Sequence, residues 1–191
     1  MYFTFFSNPP QSIHGKEITF ASHKSDIERI HILIKQGGIF LDLDVIALKP
    51  FDPLLRYNFT MGIEYFGKPG RLHNGIILAR PNATFLHKWL ETYKDFSKSE
   101  WDDHSSQSPY KLQFMYPDLI HVEPKSLNYP SGQDIDLIYE ERYDWSNNYA
   151  LHLWSKIHDL EHGPEAIKTM NSTYGEVARL VYYGSPELIM S

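Results

Sequence analysis

The segment SDIERIHILIKQGGIFLDLDVI, residues 25–46, carries the pattern that predicts the fold of this chain. Ser25 and Glu28 have the spacing of a helix capping box, and apolar residues follow them at helical intervals. The glycine pair at residues 37–38 is typical of a helix end, and residues 39–46 have the composition of a buried strand. The segment therefore predicts a helix, a tight turn and a strand, a succession typical of α/β folds.

Strands and helices are expected to alternate along the rest of the chain. Strands are predicted at residues 2–6, 18–21, 60–65, 75–79 and 119–122. Helices are predicted after Asn82, from Ser108-Pro109, and from Pro164 to about Tyr183, with irregular structure over 124–148. This order predicts an α/β fold with a mainly parallel sheet. No linker-like segment divides residues 1–191, so we expect a single domain.

The composition argues against several classes of function. The 191 residues are 42% hydrophobic, and 18 Lys and Arg against 24 Asp and Glu give a net charge of −6. This charge balance lacks the basic footprint of a nucleic-acid-binding protein. The absence of cysteine excludes a disulfide framework, a thiolate metal site and a cysteine nucleophile. No apolar run approaches the ~18 residues that a membrane span requires. Because the net charge is negative and favours no anionic partner, any phosphate is expected to be bound locally or through a metal.

Three N-glycosylation sequons begin at Asn58, Asn82 and Asn171, where about one would be expected by chance. They favour a secretory protein, although residues 1–6 lack the features of a signal peptide. Asn82 also has a structural alternative, because its side chain is well placed to cap the following helix.

Asp42 and Asp44 are the first candidates for chemistry. In an extended chain their carboxylates would point to the same side, while Leu41, Leu43 and Val45 would pack on the other. Two hard oxygen ligands at the carboxyl end of a buried strand suit manganese or magnesium, at the edge where open α/β sheets bind ligands. The second such pair, Asp134 and Asp136, follows no predicted strand and is expected to be a solvated turn.

Five motifs then give the chain a family resemblance. They are His23-Lys-Ser-Asp26-Ile-Glu-Arg29, Gly37-Gly38-Ile-Phe-Leu-Asp42-Leu-Asp44-Val45, Leu72-His73-Asn74-Gly75-Ile76, Trp101-Asp-Asp-His104-Ser105 and His152-Leu-Trp154. Together they resemble the DXD-containing sugar transferases, a family that includes fungal α-1,6-mannosyltransferases, inositolphosphoceramide mannosyltransferases and α-1,4-galactosyltransferase-like enzymes. The resemblance runs from about Ile13 to about Tyr183. Relatives carry several tens of residues before the position of Ile13, so an N-terminally shortened family domain is expected.

The resemblance implies a GT-A type nucleotide-sugar-binding fold with a divalent cation, Mn²⁺ or Mg²⁺. Asp42 and Asp44 would be the catalytic pair, with Asp44 on the ion and Asp42 on the ion or the ribose. His152 would complete the metal or diphosphate site, although a lone histidine in a short apolar strand is commonly a core residue.

The resemblance also implies a set of substrate-binding residues. These are Asp26, Arg29, Gly38, Asn74, His104 and Ser105. The family pattern places Asp26 and Arg29 on the donor sugar, whereas capping and pairing at i,i+3 would be structural roles for the two. Asn74 would bind sugar hydroxyls or end a turn, and His104 and Ser105 would line the acceptor side or lie in solvent.

The activity implied is transfer of a hexosyl unit from a UDP- or GDP-sugar to a glycan or glycolipid hydroxyl, with retention of anomeric configuration. The implied location is the Golgi or secretory lumen, and no nucleic-acid partner is expected. One alternative is a catalytically silent relative that binds sugar or a protein partner. A metal-dependent phosphohydrolase is a weaker alternative, because it would need more carboxylate or histidine ligands near Asp42 and Asp44.

Overall fold

The computed structural model describes residues 7–65, 67–97, 99, 101–158 and 162–190. Its strands are β1 Ser12–Ile13, β2 Lys16–Glu17, β3 Gly38–Leu41, β4 Val45–Ala47, β5 Phe59–Tyr65, β6 Arg71–Ala79, β7 His121–Glu123 and β8 Ala150–His152. Its α-helices are α1 Ala21–Gln36, α2 Thr84–Glu91, α3 Ser108–Met115, α4 Asp136–Tyr139, α5 Pro164–Thr169 and α6 Thr173–Tyr183. The strand predicted at residues 2–6 lies outside the described residues.

The central sheet has four strands in the order β3-β6-β5-β7. Strands β3 and β5 both run antiparallel to β6, and β7 runs parallel to β5. The expected mixture of helices and strands is confirmed, but the expectation of a mainly parallel sheet is wrong. Residues 66–70, which contain two glycines and a proline, connect β5 directly to β6. An antiparallel pair needs only such a short turn, whereas a parallel pair needs a longer crossover.

The sheet is covered on both faces, as the alternation along β6 shows. Ile77 and Ala79 pack in the cluster formed with α1 and α2, while Ile76 and Leu78 pack in a second cluster with Phe51. Successive strand residues point to opposite faces, so each face of β6 has its own apolar partners. The sheet therefore lies between two apolar clusters.

Helix α1 begins five residues earlier than the capping box predicts. Its N-cap position is Phe20, which has extended dihedral angles. Ser25 lies within the helix, and its hydroxyl accepts a hydrogen bond from Arg29 Nη2 (3.1 Å). The strand expected at residues 18–21 is therefore wrong, and its last residue is the first of α1. The predicted helix end at Gly37 is confirmed, because the N–H of Gly37 donates to Leu33 O (2.9 Å).

The single helix expected from Pro164 to Tyr183 is two helices, α5 and α6. The break has a local cause, since the Ser172 hydroxyl accepts a hydrogen bond from the N–H of Gly175 (3.3 Å) and starts a new helix. Across the ranges given above, none of the helices combines the length and the apolar character required to cross a bilayer.

Candidate active site

Asp42 and Asp44 lie in a turn between β3 and β4. The strand expected over residues 39–46 is interrupted there, because Val45 N–H donates back to Asp42 O (3.2 Å). The turn points Leu43 into solvent, where it is 108% exposed. The expectation that Leu43 packs against the core is therefore wrong, since it assumed that the chain stays extended through this residue.

His152 reaches the two carboxylates through the β4–β8 pairing, in which Val45 is opposite His152. Its Nε2 lies 3.0 Å from Asp44 Oδ1. One ligand atom from each of Asp42, Asp44 and His152 lies within 4.8 Å of the others, so the three could hold a metal ion together. The expected metal ligands thus meet, although 108 residues separate Asp44 from His152.

Ser155 binds the other carboxylate oxygen of Asp44. The backbone N–H and the hydroxyl of Ser155 donate to Asp44 Oδ2 at 2.9 and 2.8 Å. Trp154 makes this approach possible, because its φ of +54° turns the chain sharply after β8. The hydrogen bond from His152, supported by those from Ser155, holds the pKa of Asp44 well below its ordinary value. Asp44 is therefore ionised at neutral pH and suited to a cation.

These donors fit a divalent cation chemically. Carboxylate oxygens suit magnesium and manganese, and an imidazole nitrogen in the set favours a transition metal such as manganese over magnesium. The Nδ1 atom of His152 is buried and has no hydrogen-bond partner among the described residues. Nε2, which lies beside the carboxylates, is therefore the ring nitrogen that could bind an ion.

Arg29 connects the carboxylates of Asp26 and Asp42. Its guanidinium lies 3.2 Å from Asp26 Oδ1 and 3.4 Å from Asp42 Oδ1, and it donates to Asn74 O (2.7 Å). The guanidinium carbon stacks 4.3 Å from the centre of the Phe40 ring. Arg29 thereby fixes the positions of three polar residues that come from three different elements.

Asp26 is buried in the second turn of α1. Its Oδ1 accepts a hydrogen bond from Asn74 Nδ2 (2.8 Å), and burial raises its pKa despite the nearby Arg29. The capping role considered for Asp26 is wrong, because the helix starts at Ala21. The pairing with Arg29 at i,i+3 is confirmed.

A wide bulge in β6 brings Asn74 to this position. Gly62 on β5 is opposite His73 and Met61 is opposite Ile77, so residues 74–76 have no partner on β5. Gly75 lies within this bulge, and a Cβ added there would be 2.6 Å from Asp42 Oδ2 and 2.5 Å from His73 Cε1. Only glycine fits between them.

All these groups open onto one cavity of about 840 Å³. The predicted site residues that line it are Asp26, Arg29, Asp42, Asp44, Asn74, Ser105 and His152. Gly38 and His104 do not line it. Gly38 has a φ of +110° and begins β3 at the end remote from Asp42. The His104 ring is buried against Tyr93 and Phe96, which leaves it in the core.

Sequence reasoning missed several other residues that line the cavity. They are Glu64, Arg71, His73, Asp102, Ser155 and Lys156. Ser155 and Lys156 directly follow the Leu-His-Leu-Trp run, so a search for polar residues after the histidine motif would have found them. Glu64 and Arg71 flank the β5–β6 connection, and only recognition of the hairpin would have paired them.

Comparison with known proteins finds a matching family and several relatives. Residues 4–60 match the family described as the glycosyltransferase sugar-binding region containing the DXD motif. Glucan organizing enzyme 1 of Cryptococcus neoformans is 30% identical over 186 residues, covering 89% of this chain and 51% of the relative. The O-glycosyltransferase PaGT of Phomopsis amygdali is 28% identical over 116 residues, covering 56% of this chain and 27% of that protein.

A human relative, alpha-1,4-N-acetylglucosaminyltransferase, is 22% identical over 170 residues, covering 78% of this chain and 46% of that enzyme. No solved structure matches the chain significantly. The chain spans about half the length, or less, of these curated relatives. Residues 4–60 therefore carry the glycosyltransferase sugar-binding region with its DXD motif, and the chain is a homologue of named glycosyltransferases.

Proposed function

We propose that this chain forms the metal-dependent catalytic site of a hexosyltransferase. It would move a hexosyl unit from a UDP- or GDP-sugar to a hydroxyl of a glycan or glycolipid. The observation that carries the proposal is the meeting of Asp42, Asp44 and His152 at one side of a cavity of about 840 Å³. That volume lies within the range of small-molecule sites, and the family match supports the reaction class.

The cation site would neutralise the diphosphate of the donor. A divalent ion held by Asp42, Asp44 and His152 supplies Lewis-acid stabilisation of the negative charge that develops on the leaving diphosphate. Lys156 also lines the cavity, next to Ser155, and adds a positive charge at this end. The net charge of −6 would then not prevent the anionic donor from binding, because a local cation would offset the negative charges.

The donor sugar would lie against Asp26, Arg29 and Asn74. The contacts of Arg29 with Asp26 and Asn74 hold these groups in place before substrate arrives. A preorganised set of donors and acceptors can recognise sugar hydroxyls without paying to order its own side chains. Ser105, which lines the same cavity, would face the acceptor.

Replacement of Asp44 tests the metal site. We expect Asp44→Asn to lower Mn²⁺-dependent binding of UDP or GDP, measured by isothermal titration calorimetry, and to lower turnover of UDP- or GDP-hexoses by at least ~100-fold. Asp136→Asn is the matched control, because Asp136 belongs to the other Asp-x-Asp pair and does not line the cavity. Unchanged Mn²⁺-dependent binding and turnover in Asp44→Asn would refute the proposal.

The alternative of a silent binding module makes a different prediction in the same assay. It expects glycan binding without affinity for UDP or GDP in the presence of Mn²⁺. Retention of anomeric configuration is also part of our proposal, supported by the family resemblance. NMR of the glycosidic linkage in the first product formed would test it, and an inverted linkage would contradict it.

A further inference from the structure

Glu64 enters the cavity through an irregularity in β5. Ile63 is opposite Leu72 and Tyr65 is opposite Arg71, so Glu64 lies between consecutive register pairs with no partner of its own on β6. Such β-bulges change the direction of a side chain and are frequent beside active sites. The Glu64 side chain lines the same cavity as Asp42 and Asp44.

Glu64 differs from the other carboxylates in this cavity. The cavity is lined by five, namely Asp26, Asp42, Asp44, Glu64 and Asp102. Four of them are bound within the described part of the chain, by Arg29, Asn74, His152, Ser155, Arg71 or Gln107. Among the described residues, no hydrogen bond or ion pair reaches the carboxylate of Glu64.

The nearby arginine does not neutralise Glu64. Arg71 forms a close ion pair with Asp102, which engages its guanidinium. The charged or titratable groups that act on Glu64 are Arg71 from β6, Asp102 from the segment before α3, and His152 from β8. Burial outweighs the attraction of Arg71 and raises the pKa of Glu64 to about 7.

A half-buried carboxylate with no partner is costly to keep, which points to a use in the reaction. Hexosyl transfer needs a group that removes the proton of the attacking hydroxyl, and that group must not already be occupied. The carboxylates bound to Arg29, His152 and Arg71 are held by their partners. Glu64 is the cavity carboxylate that remains available in the described part of the chain.

We propose that Glu64 is the general base that accepts the proton of the acceptor hydroxyl during hexosyl transfer, an inference that rests on the proposed function. The acceptor oxygen bonds to the anomeric carbon from the same face that the diphosphate leaves, which retains the configuration, as its proton passes to the Glu64 carboxylate. The bond from the anomeric carbon to the diphosphate oxygen breaks, and its electron pair leaves with the nucleoside diphosphate. Glu64 then returns the proton to solvent through the open cavity.

The test compares Glu64→Gln with the wild-type chain. The donors are UDP-glucose, UDP-N-acetylglucosamine, UDP-galactose and GDP-mannose with Mn²⁺, and the acceptors are methyl glycosides of glucose, galactose and mannose. We expect Glu64→Gln to lower kcat by roughly 10²–10⁴-fold on the pair that the wild type uses. Its affinity for UDP or GDP with Mn²⁺, measured by calorimetry, is expected to be unchanged.

Two further measurements separate proton transfer from a purely structural role. The wild-type kcat/KM should rise with pH through about 7 and then level, because the base must be ionised, and Glu64→Gln should lack this rise. Glu64→Asp should recover part of the activity. Glu123→Gln is the control, since Glu123 is a half-buried glutamate of the neighbouring strand β7 that does not line the cavity.

Three results would overturn the inference. Wild-type turnover in Glu64→Gln overturns the inference and leaves the proposed function standing. Loss of UDP or GDP affinity in Glu64→Gln also overturns it, because Glu64 would then be a donor contact. If the wild type transfers no hexose to any acceptor and does not bind UDP or GDP with Mn²⁺, the proposed function fails and this inference fails with it.

Discussion

At the scale of single residues, Asp44 and Glu64 show how one cavity shifts the pKa values of two carboxylates in opposite directions. Asp44 accepts hydrogen bonds from His152 and Ser155, which stabilise its charge and lower its pKa. Glu64 has no such donors among the described residues, and burial raises its pKa to about 7. Environments that separate the pKa values of nearby acids are typical of catalytic sites.

The raised pKa of Glu64 also predicts a pH-dependent effect on stability. Below pH 4.5 the side chain is protonated in both the folded and the unfolded chain, and its burial is then tolerated. As the pH rises from there through about 7, the unfolded chain loses its proton first, so the folded state loses stability relative to it.

We therefore expect Glu64→Gln to be more stable than the wild type at pH 8, by about 1–3 kcal/mol, with the gain disappearing toward pH 4.5. Urea unfolding at the two pH values measures this difference. Glu17→Gln serves as the control, because Glu17 is exposed on β2. A variant that loses activity while gaining stability at pH 8 would be typical of a catalytic residue. A Glu64→Gln variant that is less stable at pH 8 would contradict the prediction.

At the scale of elements, the bulge of β6 positions one part of the site. It places Asn74 beside Asp26 and brings the Gly75 backbone against the acidic turn, where Gly75 O accepts from Asp42 N–H (2.8 Å). Helix α1 contributes from the other side, because Asp26 and Arg29 are three residues apart and share a face. Two rigid elements therefore fix the polar groups that a loop would leave mobile.

The bulge makes Gly75 a sensitive position. We expect Gly75→Ala to displace Asp42 or His73, because the new Cβ would lie 2.6 Å from Asp42 Oδ2. Mn²⁺ affinity, measured by calorimetry or by electron paramagnetic resonance, should fall roughly 10–100-fold. Gly163→Ala is the matched control, since a Cβ at Gly163 meets no atom within 4 Å. Equal Mn²⁺ affinity in the two variants would show that the bulge tolerates a side chain.

At the scale of the whole molecule, the surface is compatible with the secretory location that the family resemblance implies. Asn58, Asn82 and Asn171 are all exposed, and none of them lines the cavity. The Asn82 side chain does not cap α2, as the sequence had suggested, and instead lies 2.6 Å from His87 Nε2. Glycans at these positions would leave the site open.

We expect expression through a eukaryotic secretory pathway to attach N-glycans at Asn58, Asn82 and Asn171. Peptide-N-glycosidase treatment followed by intact-mass analysis would count them, and Asn→Gln variants would assign each position. Mn²⁺-dependent UDP or GDP binding should be the same before and after glycan removal, because the sequons lie outside the cavity. Secreted protein without any glycan would contradict this expectation.

Local chemistry explains which features the sequence alone could predict. The end of α1 at Gly37, the acidic pair before β4 and the pairing of Asp26 with Arg29 each depend on residues close together in the chain. Periodicity, glycine conformation and charge spacing report such features directly. The start of α1 is an exception, because the capping box predicts an N-cap at Ser25, whereas the Ser25 hydroxyl bonds to Arg29 inside the helix.

The sequence by itself therefore determined the mixed α/β character, the acidic pair Asp42 and Asp44, and the resemblance that named His152. Only the tertiary structure decided that His152 meets Asp44 through the β4–β8 pairing, and that the β5 bulge turns Glu64 into the same cavity. The physical reason is that strand pairing and burial join residues far apart in the chain, and no local pattern records those contacts.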